Sequence, residues 1–208
     1  ESRIVLLQGS EKVRVKIFIA AVTKFKGDFI AVTNYEALLM TELFKWMLNW
    51  APEIIIADES QKIKDRKAKR TKALLKMAPL AKYRYCLSGT PYLNSPEDLF
   101  SQYLFMDLGK TFGANFFKFQ ATFMEDKNAS WRGTSQRYFS KWEVKQSQLP
   151  LLTELISTSS MRVLKKDCLD LPPLVRQEIL VDLSPEQRRL YNSMKRDFIA
   201  FLDSKACV

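Results

Sequence analysis

At 208 residues, 47% of them hydrophobic, the chain is long enough to bury a core, and its composition is that of a folded globular protein. A formal charge of +10 suits a polyanionic partner and says nothing of fold. The absence of histidine excludes imidazole metal sites, histidine general bases and Ser-His triads.

The cysteines, Cys86, Cys168 and Cys207, are odd in number and lack CxxC spacing. They read as reduced thiols in a cytoplasmic, nucleoid or nuclear protein. No apolar run reaches membrane-spanning length and no signal peptide is visible. The chain opens on an apolar strand without an initiator Met, which reads as a segment of a longer protein.

Ile4-Val5-Leu6-Leu7 is a predicted strand, and Gln8-Gly9-Ser10 its turn, with Ser10 placed to cap a helix. That helix is expected from Glu11 to about Lys24, with Val13, Ile17, Ala20 and Ala21 as its apolar stripe. After the turn Lys26-Gly27-Asp28, Phe29 to Thr33 is the next strand. Asn34 to Trp50 is expected to be helical, with Leu39, Leu43 and Met47 on one face.

Then comes Glu53-Ile54-Ile55-Ile56-Ala57-Asp58-Glu59-Ser60-Gln61. An unbroken apolar run suits a strand buried on both faces, as in a parallel sheet. Asp58 and Glu59 fall at its carboxyl end, the edge where open α/β sheets bind ligands. An acidic pair there costs stability unless a metal, a water or a partner compensates it. In phosphate-handling folds one carboxylate at this place holds magnesium against the triphosphate and a second polarises the attacking water. A strand followed by a solvated acidic turn is the alternative.

A basic stretch follows, from Lys62 and Lys64 into a helix expected over roughly Lys67 to Met77. Thr71, Leu74, Leu75 and Ala78 form its buried stripe, and Lys69, Lys72 and Lys76 share an outward face. Such a face is the usual fate of a surface helix, yet the excess of one sign leaves room for a phosphate contact by Lys62 or Lys64. Tyr83 to Leu87 is another short strand, ending in the small, hydroxyl-rich turn Ser88-Gly89-Thr90-Pro91. Strand, helix and strand make a βαβ unit whose two turns emerge on one sheet edge.

Ser95-Pro96-Glu97-Asp98 starts a helix to about Met106, with Leu99, Phe100, Tyr103 and Leu104 inward. Gly109-Lys110-Thr111 looks like the end of a phosphate loop, but a true loop carries another Gly where this chain has Leu104, and follows a strand rather than a helix. Phe112, Phe116, Phe117, Phe119 and Phe123 suit core packing better than a base-stacking platform. Glu125 to Gln136 is a polar loop, and Leu149 to Ser157 a short helix. Leu171-Pro172-Pro173 is a rigid linker. Val175 to Leu183 alternates as a strand does. Ser184-Pro185-Glu186-Gln187 is a capping box opening a helix with Leu190, Met194, Phe198 and Phe201 or Leu202 at core spacing.

Taken together, these stretches resemble the Swi/Snf-like branch of the superfamily-two helicase-related DNA translocases. Asp58-Glu59-Ser60-Gln61-Lys62-Ile63-Lys64 is similar to motif II of that family, and Ser88 to Asn94 with Pro96-Glu97-Asp98-Leu99 to motif III and its following helix. Val32-Thr33-Asn34-Tyr35-Glu36-Ala37-Leu38 resembles the strand and Tyr-Glu motif before them. Met161-Arg162-Val163-Leu164-Lys165-Lys166-Asp167, Leu171-Pro172-Pro173 and Leu183-Ser184-Pro185-Glu186-Gln187 resemble the passage from the first lobe to the second. The order is right, and the resemblance covers nearly the whole chain.

The resemblance implies an α/β fold: a RecA-like parallel sheet flanked by helices, of the P-loop NTPase type. Residues 1–107 would be the later part of the first lobe, 108–170 a helical protrusion, and 171–208 the linker and start of the second lobe. The implied activity is ATP hydrolysis coupled to translocation on double-stranded DNA, with ATP and magnesium as cofactors. Asp58 would hold magnesium through water and Glu59 would activate the hydrolytic water. Ser88, Gly89 and Thr90 would couple nucleotide to DNA, Asn34, Lys62 and Lys64 would lie near DNA, and Arg162 and Lys165 would brace the lobes. For Asn34 a turn and helix cap is an equally good reading.

Two departures stand out. Gln61 occupies the position where the family usually has His, linking motif II to motif III; an amide can also donate and accept. The phosphate loop and the second-lobe motifs are not in the chain, so the 208 residues are expected not to hydrolyse ATP alone. A non-catalytic nucleic-acid-binding module, or a protein-interaction module, on the same scaffold is the competing reading.

Overall fold

The computed structural model describes residues 3–91, 96–131, 139–164, 168, 175–197, 200–202 and 205–207. The chain divides into two compact units, Glu1–Met161 and Arg162–Val208.

The first unit is built on two parallel strand pairs. β1 (Ile4–Leu6) pairs with β2 (Ile30–Val32), Val5 opposite Ala31. β3 (Ile54–Ala57) pairs with β4 (Tyr83–Cys86), Ile54 opposite Tyr83 and Ala57 opposite Cys86. The intervening helices are α1 (Glu11–Phe25), α2 (Thr41–Trp50) and α3 (Lys69–Met77), and α4 (Asp98–Asp107) follows β4. Parallel strands flanked by helices is the expected α/β architecture.

One core joins these elements. Leu7, Phe18, Phe29, Leu43, Met47, Ala57, Ile63, Leu74, Met77 and Phe105 are buried together. Trp50 stacks on Phe29 and meets Phe18 edge-on, which locks α1 and α2 to the β2 side. Arg84 of β4 donates to the Ala78 carbonyl and, at 3.0 Å, to that of Met106. One guanidinium thus satisfies carbonyls at the C-terminal ends of α3 and α4.

Several local expectations are corrected. β3 is not buried on both faces: Ile55 and Ala57 face the core, but Ile54 and Ile56 are 51% and 60% exposed. Tyr83 and Tyr85 of β4 are exposed beside them, because the described helices pack on one face of the pair. In α1 the buried residues are Phe18 and Ala21, whereas Val13 is exposed; the aromatic side chains set the face. Ser10 occupies the N-cap position without a side-chain cap bond. The stretch from Asn34 to Trp50 is broken. Tyr35–Leu39 is a 3₁₀ turn, Met40 is extended, and α2 starts at Thr41. The break shifts the helical phase, so Leu39 is exposed while Leu43 and Met47 are buried.

A second cluster gathers Leu99, Phe100 and Tyr103 of α4 with Phe112, with Phe119 and Phe123 of α5 (Phe116–Phe123), and with Leu152 of α6 (Leu149–Ser157). The phenylalanines are therefore core, apart from Phe117, which is 67% exposed. In the expected polar loop, β5 (Met124–Asp126) instead pairs antiparallel with β6 (Trp142–Val144).

In the second unit, α7 spans Pro185–Asp197, and β7 (Ala200–Leu202) pairs antiparallel with β8 (Lys205–Cys207). The capping box forms as expected: Gln187 N–H donates to Ser184 Oγ at 3.3 Å, and Ser184 N–H to Gln187 Oε1 at 3.1 Å. Val175 to Leu183 is not a strand. Among the described residues it has no ladder partner, and Leu180 is 96% exposed. Phe201 and Leu202 lie in β7, not on the helix. Lys165, Lys166, Asp167, Leu171-Pro172-Pro173, Ser95, Asn94 and Phe198 lie outside the described residues.

Candidate functional site

The parallel register of β3 and β4 brings their carboxyl ends side by side. Leu87 N–H donates to the Ala57 carbonyl and Ser60 N–H to the Leu87 carbonyl, both at 2.9 Å. The acidic turn and the Ser88–Pro91 turn therefore leave the sheet at one edge.

The acidic turn has an unusual backbone. Glu59 is left-handed, at φ 50° and ψ 51°, a conformation that costs a non-glycine residue about 1 kcal/mol or more. Asp58 keeps the turn tight by accepting the Glu59 N–H at 2.9 Å on its own Oδ1.

Gln61 then joins the two turns. Its Nε2 donates to Glu59 Oε2 at 2.6 Å, and its Oε1 accepts from Ser88 Oγ at 2.7 Å. The chemistry fixes the amide orientation: a carboxylate only accepts, so nitrogen must face Glu59 and oxygen must face the hydroxyl. Ser88 Oγ accepts in turn from Thr90 N–H at 3.1 Å. Glu59, Gln61, Ser88 and Thr90 form one continuous chain of hydrogen bonds. Gly89 lies between, exposed, with no atom near its open Cβ position.

Beneath this chain lies a residue with no sequence motif to flag it. Gln102 of α4 is buried; its Oε1 accepts from Ser60 Oγ at 2.6 Å. Its Nε2 donates to the carbonyls of Pro91 and Asp98. The same side chain therefore holds the acidic turn, the Ser88–Pro91 turn and the first turn of α4. The available signal was a polar residue inside an otherwise apolar helical stripe.

Tyr35, which opens the Tyr-Glu motif, reaches the acidic turn as well. Its hydroxyl donates to the Asp58 carbonyl at 2.7 Å. Burial, and then the neighbouring Cys86, Asp58 and Glu59, push its pKa up to about 12. Cys86, on β4 below the turns, is likewise pushed up to about 12 by burial.

The other candidate residues are not members of this hydrogen-bond chain. Asn34 accepts from the Arg14 guanidinium at 2.8 Å, and Arg14 also reaches Thr33 and the Gly9 carbonyl. Its side chain makes no cap bond. Lys62 is exposed beside the acidic turn, and its carbonyl accepts from Arg70 Nε. Lys64 pairs with Asp98 at 3.2 Å in a half-buried position. Arg162 is exposed in the second unit. In the Gly109-Lys110-Thr111 turn, all three N–H groups donate to the Asp107 carboxylate. The nest that a phosphate would need is filled by the protein's own anion.

Magnesium can be tested against these side chains. Among the described residues no three carboxylate, thiol or imidazole groups gather as a cage. Asp58 offers a hard oxygen at an exposed strand end. That fits a cation that keeps several waters and takes one or two carboxylates alongside phosphate oxygens.

The comparisons with known proteins give the family. The SNF2-related domain model matches residues 3–207. The chain belongs to the SNF2-related family. Its members are helicase-like ATPases that use ATP and magnesium and act on DNA. Among its relatives is the mouse "DNA annealing helicase and endonuclease ZRANB3", 32% identical over 84% of this chain and 16% of that protein. Another is the "TATA-binding protein-associated factor mot1" of Schizosaccharomyces pombe, 31% identical over 87% of this chain and 9% of that protein. "Putative protein p41" of Acyrthosiphon pisum secondary endosymbiont phage 1 is 27% identical over 95% of this chain and 42% of its own length. The chain thus spans less than half of each. The α/β unit is consistent with a RecA-like lobe of an SNF2-related domain. No described helix is long and apolar enough to cross a membrane.

Proposed function

We propose that this chain supplies the hydrolytic edge of the first lobe in a DNA-dependent ATPase that translocates on double-stranded DNA. The observation that carries the reading is the Glu59–Gln61–Ser88–Thr90 hydrogen-bond chain, which links the acidic turn to the turn after the neighbouring strand. Residues 1–107 would belong to that lobe, 108–170 to a protrusion, and 171–208 to the linker and start of a second lobe. The exposed apolar face of β3 and β4 is then where further elements of the lobe pack.

In this reading Asp58 would hold magnesium through water, and magnesium would supply charge neutralisation on the triphosphate. Glu59 orients the attacking water and takes its proton. Gln61 donates to the Glu59 carboxylate, which fixes its rotamer. Since an amide does not titrate near neutrality, the link to Ser88 holds the same geometry across that range. Ser88 and Thr90 carry any shift of their turn back to Glu59, and Gly89 lets that turn approach a partner closely. Asn34 and Lys62, with Lys64 when released from Asp98, contact DNA phosphates. Arg162 and Lys165 brace the lobes. A reducing compartment suits the thiols.

Phosphate release tests the reading. The full-length protein should hydrolyse ATP faster with duplex DNA, and Glu59→Gln should abolish turnover while nucleotide still binds. The 208 residues alone should release no phosphate above background. A full-length protein that binds DNA without releasing phosphate would replace the motor by a non-catalytic DNA-binding module.

A further inference from the structure

We propose that Tyr35 is a positioning residue for the acidic turn: its hydroxyl, 2.7 Å from the Asp58 carbonyl, holds the peptide that sets the direction of Glu59. The proposal rests on the reading of Glu59 as the residue that activates water.

Asp58 has just left the β3–β4 ladder, whose last strand residue is Ala57. Its carbonyl accepts from the Tyr35 hydroxyl. The next residue, Glu59, sits at φ 50°, which disfavours a side chain with a Cβ. Rotation of the peptide between Asp58 and Glu59 changes ψ of the first and φ of the second together. That rotation would relieve the left-handed strain, and it would swing the Glu59 carboxylate away from Gln61. Two contacts oppose it. Asp58 Oδ1 holds the N–H of this peptide, and Tyr35 holds its carbonyl.

Tyr35 is itself anchored. It opens the 3₁₀ turn Tyr35–Leu39, its ring packs against the main core, and the nearby Ala37 and Leu38 are buried. A hydroxyl on a fixed ring is a better brace than a water, which would leave with the carbonyl.

Tyr35→Phe keeps the ring and removes only the hydroxyl. In the full-length protein kcat should fall about tenfold, as expected for a displaced catalytic group, with KM for ATP within about twofold of wild type. Amide hydrogen exchange gives a readout that does not depend on turnover. The amides of Glu59 to Lys62 should exchange about tenfold faster, with β1 and β2 unchanged. In a Glu59→Gly background, where the left-handed backbone costs little, the same Tyr35→Phe change should alter exchange much less. Unchanged exchange in the turn, or an equal change in both backgrounds, would overturn the proposal. So would a loss of protection spread over the whole lobe, or a rise in KM that matches the fall in kcat. Glu59→Gln run alongside separates the two levels. If it stays active, the reading of Glu59 fails and the exchange data still decide whether Tyr35 holds the turn. If it is inactive and Tyr35→Phe matches wild type in kcat, the role of Tyr35 fails alone.

Discussion

Gln61 Oε1 accepts from Ser88 Oγ at 2.7 Å across the gap between the ends of β3 and β4. Its amide nitrogen, donating to Glu59, makes the residue a two-ended connector. Gln61→Ala removes both bonds and leaves Glu59 free to change rotamer. In the full-length protein we expect kcat to fall by about 10–100-fold with little change in ATP affinity. Gln61→Glu should be worse, since it sets a second carboxylate against Glu59. Steady-state phosphate release and nucleotide-binding titrations check both variants. Wild-type turnover in Gln61→Ala would show that the connector carries nothing.

Gln102→Ala removes a buried side chain that satisfies Ser60, Pro91 and Asp98. Leaving buried partners unpaired costs about 1–3 kcal/mol. The expected loss of unfolding free energy in urea is therefore about 2–3 kcal/mol. Gln102→Glu should lose a similar amount, because its second oxygen would face two carbonyls. A loss no larger than that of an exposed control such as Lys72→Ala would contradict the buried bridge.

The parts of this arrangement that sequence alone made legible are the local ones. The run Ile54–Ala57 ending in Asp58-Glu59, the helix carrying Thr71 and Leu74, and the strand before Ser88 lie within one βαβ unit, so period and order suffice to place both turns at one edge. The Ser184–Gln187 capping box is likewise set by neighbours in the chain. Gln102 was not legible, and of Tyr35 only its motif was, because each acts on a residue far along the chain that no local pattern points to. The exposure of Ile54 and Ile56 was missed because an apolar run reports what a strand prefers, not which elements reach it. Val175 to Leu183 failed for the same reason: alternation needs a ladder partner before it becomes a strand.

Thiol chemistry offers a test of burial. Burial holds the Cys86 thiol near a pKa of about 12, well above its ordinary value, while Cys168 is exposed. At pH 8 iodoacetamide should label Cys168 readily and leave Cys86 unmodified until urea is added. Peptide mass mapping distinguishes the two. Alkaline stability follows the same sign. The unfolded chain releases the Cys86 and Tyr35 protons at their ordinary values of 9.0 and 10.0, and the folded chain holds them to about 12. Their contribution is intact below pH 9 and is lost as pH rises toward 12. Between pH 10 and 12, Tyr35→Phe should lose stability less steeply than wild type in urea titrations. Parallel slopes would show that the phenol is not held protonated.

The Gly109-Lys110-Thr111 turn gives a negative control. Its amides are bound by Asp107, and a Cβ at Gly109 would lie 3.0 Å from the Ala114 nitrogen and the Gly113 carbonyl carbon. Lys110→Ala should leave ATP binding of the full-length protein within about twofold of wild type. Gly109→Ala should destabilise the fold, because the φ of 87° and the close backbone both resist a side chain. Loss of nucleotide binding in Lys110→Ala, with the fold intact by circular dichroism, would mean that this turn and not the acidic edge meets the triphosphate.

The last expectation concerns DNA. A charge of +10 attracts phosphates regardless of sequence, so the chain should bind duplex DNA weakly, with Kd of roughly 10⁻⁴–10⁻⁶ M, and bind far less tightly as salt rises. The structure separates the contributing lysines. Lys62 is exposed beside the acidic turn, whereas Lys64 is paired with Asp98. Lys62→Glu should therefore weaken binding and flatten the salt dependence, the slope falling by about 0.9 for each phosphate that is no longer neutralised. Lys64→Glu should in addition destabilise the fold, since it sets a second carboxylate beside Asp98, so its weaker binding must be read against its unfolding curve. Lys12→Glu, on the exposed side of α1, is the matched control for net charge. Fluorescence anisotropy with a labelled duplex across a salt series makes the comparison. Equal weakening in Lys62→Glu and Lys12→Glu would show that total charge alone attracts DNA, and binding indifferent to salt would rule out the phosphate contacts altogether. A larger effect at Lys62 would place the DNA path on the edge where Glu59, Gln61 and Ser88 meet.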